Sequence, residues 1–185
     1  MAKKPTIQLL VLAFFIIFFI SACGGGNTSD SDACKIQNSA NCYAYAFNWM
    51  KSPITGNFFP GKPQPGQFAK PPISCDPPST TCIVDAVNAD AKELGKQFIS
   101  TTKDAVCPTG TYKIALVIAN IPPSADADYH WYRQNPDGTW SHKPGTTPVT
   151  NKDGAGAIIT DPATANRTSG DLIYDEFGGY FCTGG

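Results

Sequence analysis

Charge is scarce in this chain: Asp, Glu, Lys and Arg make up 16% of its 185 residues, and the formal net charge is −1. No cluster or stripe of Lys and Arg disturbs that balance, so nucleic acid is not an expected partner. Histidine is scarcer still, with two in the chain, His130 and His142. Neither a Cys-x-x-Cys nor a His-x-x-x-His pair occurs, which argues against a metal site of close-spaced ligands, and no cofactor is expected. No internal repeat or low-complexity tract follows the N-terminal region. A repeat architecture is therefore excluded.

Proline and glycine are plentiful, at 16 and 17 residues, and imply long irregular segments. An apolar content of 42% is nevertheless too high for a disordered chain. One loop-rich globular domain, expected to be monomeric, is the economical reading.

The N-terminus carries the clearest targeting signal. Lys3 and Lys4 precede an unbroken apolar run from Leu9 to Ile20, and Ser21-Ala22-Cys23 closes it with small residues before a cysteine. Twelve apolar residues are too few to cross about 30 Å of hydrocarbon as a helix. The pattern resembles the lipobox of bacterial lipoproteins, which implies removal of residues 1–22 and lipid on Cys23. Residues 23–33, with three glycines and several short polar residues, then form a flexible tether. The expected location is the bacterial cell envelope, anchored to the membrane through lipid. In a Gram-negative cell the missing aspartate after Cys23 permits the outer membrane.

Residues 34–185 form the expected single domain, interrupted by a Pro/Gly-rich insertion at 52–79. Six cysteines lie beyond Cys23: Cys34, Cys42, Cys75, Cys82, Cys107 and Cys182. In an exported protein such an even set suggests disulfides. Cys75-Asp-Pro-Pro-Ser-Thr-Thr-Cys82 reads as a small clipped loop, because its prolines preset a turn that brings the thiols together. The other pairings stay open.

Asn41 is a good N-cap, so Cys42 is expected to open a helix, and the apolar and aromatic residues from Tyr43 to Met50 wrap most of its circumference. That helix is expected to stop near Lys51-Ser52, before Pro53. A second helix is expected from about Thr81 to Gln97, with Asp85, Asp90, Lys92, Glu93 and Lys96 on a solvated face. Tyr112 to Ala119 has the length and β-branched content of a central strand, and Gly179 to Cys182 reads as a closing strand. The insertion at 52–79 is a candidate wall or lid for a cleft.

Asn135-Pro136-Asp137-Gly138 reads as a type I turn with glycine in the left-handed position, which gives a three-residue hairpin loop. In that register Gln134 opposes Trp140 and Tyr132 opposes His142. His130 and His142 then share a face as diagonal neighbours. A free thiol at a helix start together with two imidazoles on adjacent strands can run thiolate hydrolysis: His130 takes the thiol proton, His142 orients His130, and the Cys42 amide helps hold an oxyanion. The helix terminus and His130 are expected to lower the thiol pKa enough for reactivity near pH 6. Asn135 belongs to the turn, and Asp153 is the reserve candidate for the orienting role. A duller reading makes Cys42 a disulfide half and the histidines structural hydrogen-bonders.

The order and spacing of Cys42, His130 and His142, with Asp137-Gly138 at the intervening turn and Trp140 near it, resemble the NlpC/P60 cysteine peptidases of the papain-like superfamily. That resemblance implies an α+β fold in which an N-terminal helix bearing the nucleophile packs on a small antiparallel sheet. It also implies catalytic roles for Cys42, His130 and His142, and amide hydrolysis through a Cys42 thioester, with peptidoglycan stem peptides as the substrate. The motifs depart from the family pattern, since Asn41-Cys42-Tyr43-Ala44 stands where Asp-Cys-Ser-Gly is usual and His130-Trp131-Tyr132 where His-Val-Gly is usual. Cys-Tyr-x-Tyr-Ala and Trp-Ser-His-Lys-Pro-Gly are also similar to segments of a group of small secreted proteins. The rival reading is a noncatalytic, disulfide-stapled envelope lipoprotein that acts by binding.

Overall fold

The computed structural model describes residues 32–120 and 127–184. The signal peptide at 1–22, the lipidation residue Cys23 and most of the tether lie outside the described residues, as does the side chain of Cys34. The described chain is mixed helix and sheet, and its strands pair antiparallel. In order it forms α1 (Asp32–Ser39), α2 (Cys42–Ala46), α3 (Thr80–Glu93), β1 (Gln97–Thr101), β2 (Thr111–Ala119), β3 (Asp128–Gln134), β4 (Trp140–His142), β5 (Thr168–Ser169), β6 (Leu172–Ile173) and β7 (Glu176–Gly184). The main sheet has five strands in the order β1-β7-β2-β3-β4, and β5 with β6 forms a separate ribbon. None of the described helices is long and apolar enough to cross a membrane.

β2 lies at the centre and is buried from Lys113 to Ala119 on both faces. A strand covered on both sides needs apolar residues without alternation, and Ile114-Ala-Leu-Val-Ile-Ala119 supplies them. Ile114, Leu116 and Ile118 point into a core built with α2, α3 and Trp131. Ala115, Val117 and Ala119 face a second cluster with Tyr132, Trp140, Ile159 and Tyr174, where the segment after β4 folds back over the sheet. The hairpin takes the register expected from its turn: Tyr132 pairs with His142, and Gln134 with Trp140. Gly138 holds φ of 83°, the left-handed conformation that closes the loop.

Three expectations need correction. The helix that Cys42 opens ends at Ala46, well short of Lys51. Asn48 adopts φ of 58°, Trp49 N–H donates to the Ala44 carbonyl at 2.7 Å and Asn48 N–H to the Tyr45 carbonyl at 3.1 Å. This is a Schellman stop with asparagine in the glycine position, sealed by Trp49 packing edge-on against Tyr43 at 5.4 Å. The second helix stops in the same way at Gly95, φ 63°, which frees Gln97 to start β1, an element not expected from the sequence. Asp90 lies on no solvated face. It is fully buried and accepts from Tyr43 Oη at 2.7 Å, Gly66 N–H at 2.8 Å and Phe68 N–H at 2.7 Å.

Asp90 therefore ties the Pro/Gly-rich insertion to both helices, and Phe59 and Phe68 bury their rings beneath it. Two disulfides occur among the described residues. Cys75 joins Cys82, the clipped loop read from sequence, and Cys107 joins Cys182 on β7.

Candidate active site

A cleft of about 580 Å³ gathers Cys42, His130 and His142, with Lys62 and Gln64 from the insertion and Arg167, Thr168 and Tyr174 from the C-terminal segment. Its position follows from the strand lengths. β4 pairs only with Tyr132 to Gln134, so the outer edge of β3 from Tyr129 to Trp131 is open. The start of α2 fills that edge. Asn41 caps the helix by accepting from Ala44 N–H at 3.1 Å, and its Nδ2 donates to the Pro63 carbonyl at 2.8 Å. Cys42 is thereby fixed beside β3.

Cys42 is a free cysteine and is buried. Its thiol donates to the Tyr129 carbonyl at 4.0 Å, a long contact, and its sulfur also meets the Trp131 amide. No hydrogen bond joins Cys42 to His130 among the described residues. The reason is the pleat. Tyr129 and Trp131 point toward the helices, whereas His130 and Tyr132 point to the opposite face, and the sulfur sits at the strand edge between them.

The two histidines do meet. His130 Nε2 lies 2.8 Å from His142 Nδ1, and His142 Nε2 lies 3.0 Å from the Lys152 carbonyl. A carbonyl only accepts, so His142 Nε2 carries the proton and its Nδ1 is a lone pair. His130 Nε2 must then be the donor between the rings, which leaves His130 Nδ1 unprotonated. One backbone carbonyl thus sets the tautomer of both neutral rings. Stacking of His142 on Tyr132 at 4.9 Å and packing of His130 against Tyr174 at 5.4 Å fix the ring planes.

Burial governs the protonation states. It drives the His130 pKa well below 6.5, helped by the neighbouring His142, and it lowers His142 as well. Burial also pushes the Cys42 thiol up to about 12. This reverses the expectation of a thiolate formed near pH 6: the resting pair is a neutral thiol and a neutral imidazole. Desolvation of a sulfur anion outweighs the amides at the start of a helix of five residues.

Neither Asp153 nor Asn135 hydrogen-bonds the His142 ring among the described residues, although the Asp153 charge acts on His142 and opposes the fall in its pKa. Asp153 accepts from Ala155 N–H at 2.9 Å, Ala157 N–H at 2.9 Å and Asn166 N–H at 3.0 Å, and so builds the turn that presents the Lys152 carbonyl. Asn135 bonds Thr139 and Ser141 across the hairpin. Sequence reasoning missed Lys152, Tyr174, Arg167 and Lys62. Lys152 acts through a main-chain atom, which leaves no side-chain signal. Among the described residues no group of three His, Cys, Asp or Glu side chains gathers to hold a metal ion.

No family model and no solved structure matches the chain. A stretch of 57 residues is 44% identical to the protein described as Insoluble matrix shell protein 1 of Ruditapes philippinarum, covering 31% of this chain and 36% of that protein.

Proposed function

We propose that the protein is a cysteine hydrolase of papain-like architecture that cleaves an amide bond through a Cys42 thioester, tethered to a bacterial envelope by lipid on Cys23. The observation that carries this reading is the hydrogen-bond chain from the Lys152 carbonyl through His142 to His130, which leaves Nδ1 unprotonated on a ring that lines the same cleft as an unpaired thiol. Peptidoglycan stem peptides are the proposed substrate, from the NlpC/P60 resemblance alone.

The chemistry starts from the neutral pair. The thiol turns from the Tyr129 carbonyl toward His130 Nδ1 and gives up its proton as the sulfur attacks the substrate carbonyl, so no free thiolate accumulates in the dry site. The new S–C bond produces an oxyanion within reach of the Cys42 amide. His130 then passes the proton to the leaving nitrogen as the C–N bond breaks. A water deprotonated by His130 cleaves the thioester and restores the thiol. While His130 is cationic, its Nε2–H keeps donating to His142 Nδ1, which spreads the charge along the pair.

A second reading has a specific observation behind it. The shell protein is named as an insoluble matrix component, and a buried thiol held up at about 12 also suits a structural cysteine. In that reading the chain is a noncatalytic, disulfide-stapled binding protein.

One experiment separates them. Stem peptides incubated with purified protein are expected to yield new amine-bearing fragments, lost in Cys42→Ala and reduced at least about a hundredfold in His130→Ala. In parallel, iodoacetamide labelling of Cys42 at neutral pH is expected to slow in His130→Ala. Labelling that ignores His130, together with fragments released equally by Cys42→Ala, overturns the hydrolase and leaves the structural reading.

A further inference from the structure

Resting on the hydrolase reading, we infer that the cleft selects substrates that carry a free carboxylate, with Arg167 as the residue that holds it and Lys62 as a supporting cation. The cleft lining includes three charged side chains besides the histidines: Lys62, Arg167 and Asp128. Asp128 is already committed. Its Oδ1 accepts from Tyr129 N–H at 2.8 Å and its Oδ2 from Tyr174 Oη at 2.7 Å. The ion pairs among the described residues join Lys70 to Glu93 and Lys103 to Asp161, so neither cleft cation is neutralised. Both histidines are held neutral by burial, which leaves Lys62 and Arg167 as the cations of the cleft lining.

Arg167 carries the more specific signal. Its Nη2 donates to the Asp175 carbonyl at 3.1 Å, while Nη1 is buried with no hydrogen-bond partner. A guanidinium presents a planar fork of donors that matches the two oxygens of a carboxylate, and a charged donor shut away from water without an acceptor is a half-made site. Nη1 lies behind the surface of the cleft. The inferred carboxylate seats against Thr168 and Ser169, which line the same cleft as this half-buried side chain. Arg167 also lies close enough to Tyr132 to bias its phenol, and Tyr132 stacks on His142, so the carboxylate sits on the histidine side of the reacting bond.

The test uses two blocked peptides that differ in one group: N-acetyl-triglycine as its free acid and as its C-terminal amide. Both are titrated into the purified Cys42→Ala protein, followed through the backbone amide signals of Thr168, Ser169 and Leu172. The acid is expected to bind about tenfold more tightly than the amide. Arg167→Gln in the same background should abolish the difference, Arg167→Lys should keep part of it, and Lys62→Gln should weaken it modestly. Equal binding of acid and amide overturns the inference, even if Arg167→Gln fails to fold. So does an acid preference that survives Arg167→Gln. The hydrolase reading fails separately: an intact acid preference in a protein whose Cys42 labelling ignores His130 leaves a carboxylate-binding site without the peptidase.

Discussion

At the scale of single residues, the site depends on who holds which proton. The Lys152 carbonyl is the last acceptor in the histidine chain, and Asp153 holds that carbonyl in place by gathering three amides. If Asp153→Ala loosens the turn, His142 can shift its proton to Nδ1, and His130 must then accept at Nε2 and protonate Nδ1. The base nitrogen would become a donor pointing the wrong way. Nitrogen-15 spectra of the imidazoles are expected to show His130 as the Nε2–H form in wild type and a mixture in Asp153→Ala, with turnover falling about tenfold or more. An unchanged tautomer would remove Asp153 from the argument.

The same residues fix a pH dependence. His130 and His142 have folded pKa values below the unfolded value of 6.5, so the folded state resists protonation. Their contribution to stability is present in full above about 6.5 and is lost as pH falls toward the folded values. Urea midpoints are expected to drop between about pH 7.5 and 5.5, and the His130→Asn/His142→Asn double variant should flatten that slope. Cys42 works in the other direction. Its thiol is raised from 9.0 to about 12, so labelling should climb through the alkaline range with no plateau near pH 6.

At the scale of elements, what could be read from the chain was local. The Pro136-Asp137-Gly138 turn dictates the pairing of Tyr132 with His142, because loop length alone sets which residues oppose one another. The clipped Cys75–Cys82 loop was legible for the same reason. The short helix was not: Asn48 is a weaker stop signal than glycine, and the apolar run beyond it serves packing by Trp49 rather than helix. Asp90 was misread because helical periodicity reports a face, while the tertiary partners of that face come from a loop 22 and 24 residues away. This contact also anchors the wall of the cleft. Asp90→Ala strips the acceptor from two amides and a phenol, and is expected to cost at least about 2 kcal/mol. Limited proteolysis should then cut within 52–79 before the sheet opens. Resistance equal to wild type would show that the aromatic packing of Phe59 and Phe68 holds the wall unaided.

At the scale of the whole molecule, the question is how a free thiol persists beside formed disulfides. Exchange needs a thiolate, and burial holds Cys42 as the neutral thiol. The two disulfides do different amounts of stabilising. Cys75–Cys82 spans a separation of 7 residues, whereas Cys107–Cys182 spans 75 and ties the loop before β2 to the strand that joins β1 to β2. In the chain-entropy account the long link contributes about 4 kcal/mol and the short one about 2 kcal/mol. Replacing Cys107 and Cys182 with serine should therefore lower the unfolding free energy by roughly 2 kcal/mol more than replacing Cys75 and Cys82. The cleft residues lie on α2, β3, β4, the following segment and the insertion, and none of the four bridged cysteines lines the cleft. At a temperature where each variant is folded, the Cys42 labelling rate and its dependence on His130 should match wild type. Denaturant titrations with the labelling assay at each point decide it, and a loss of His130-dependent labelling before unfolding would show that the long disulfide shapes the site as well as the fold.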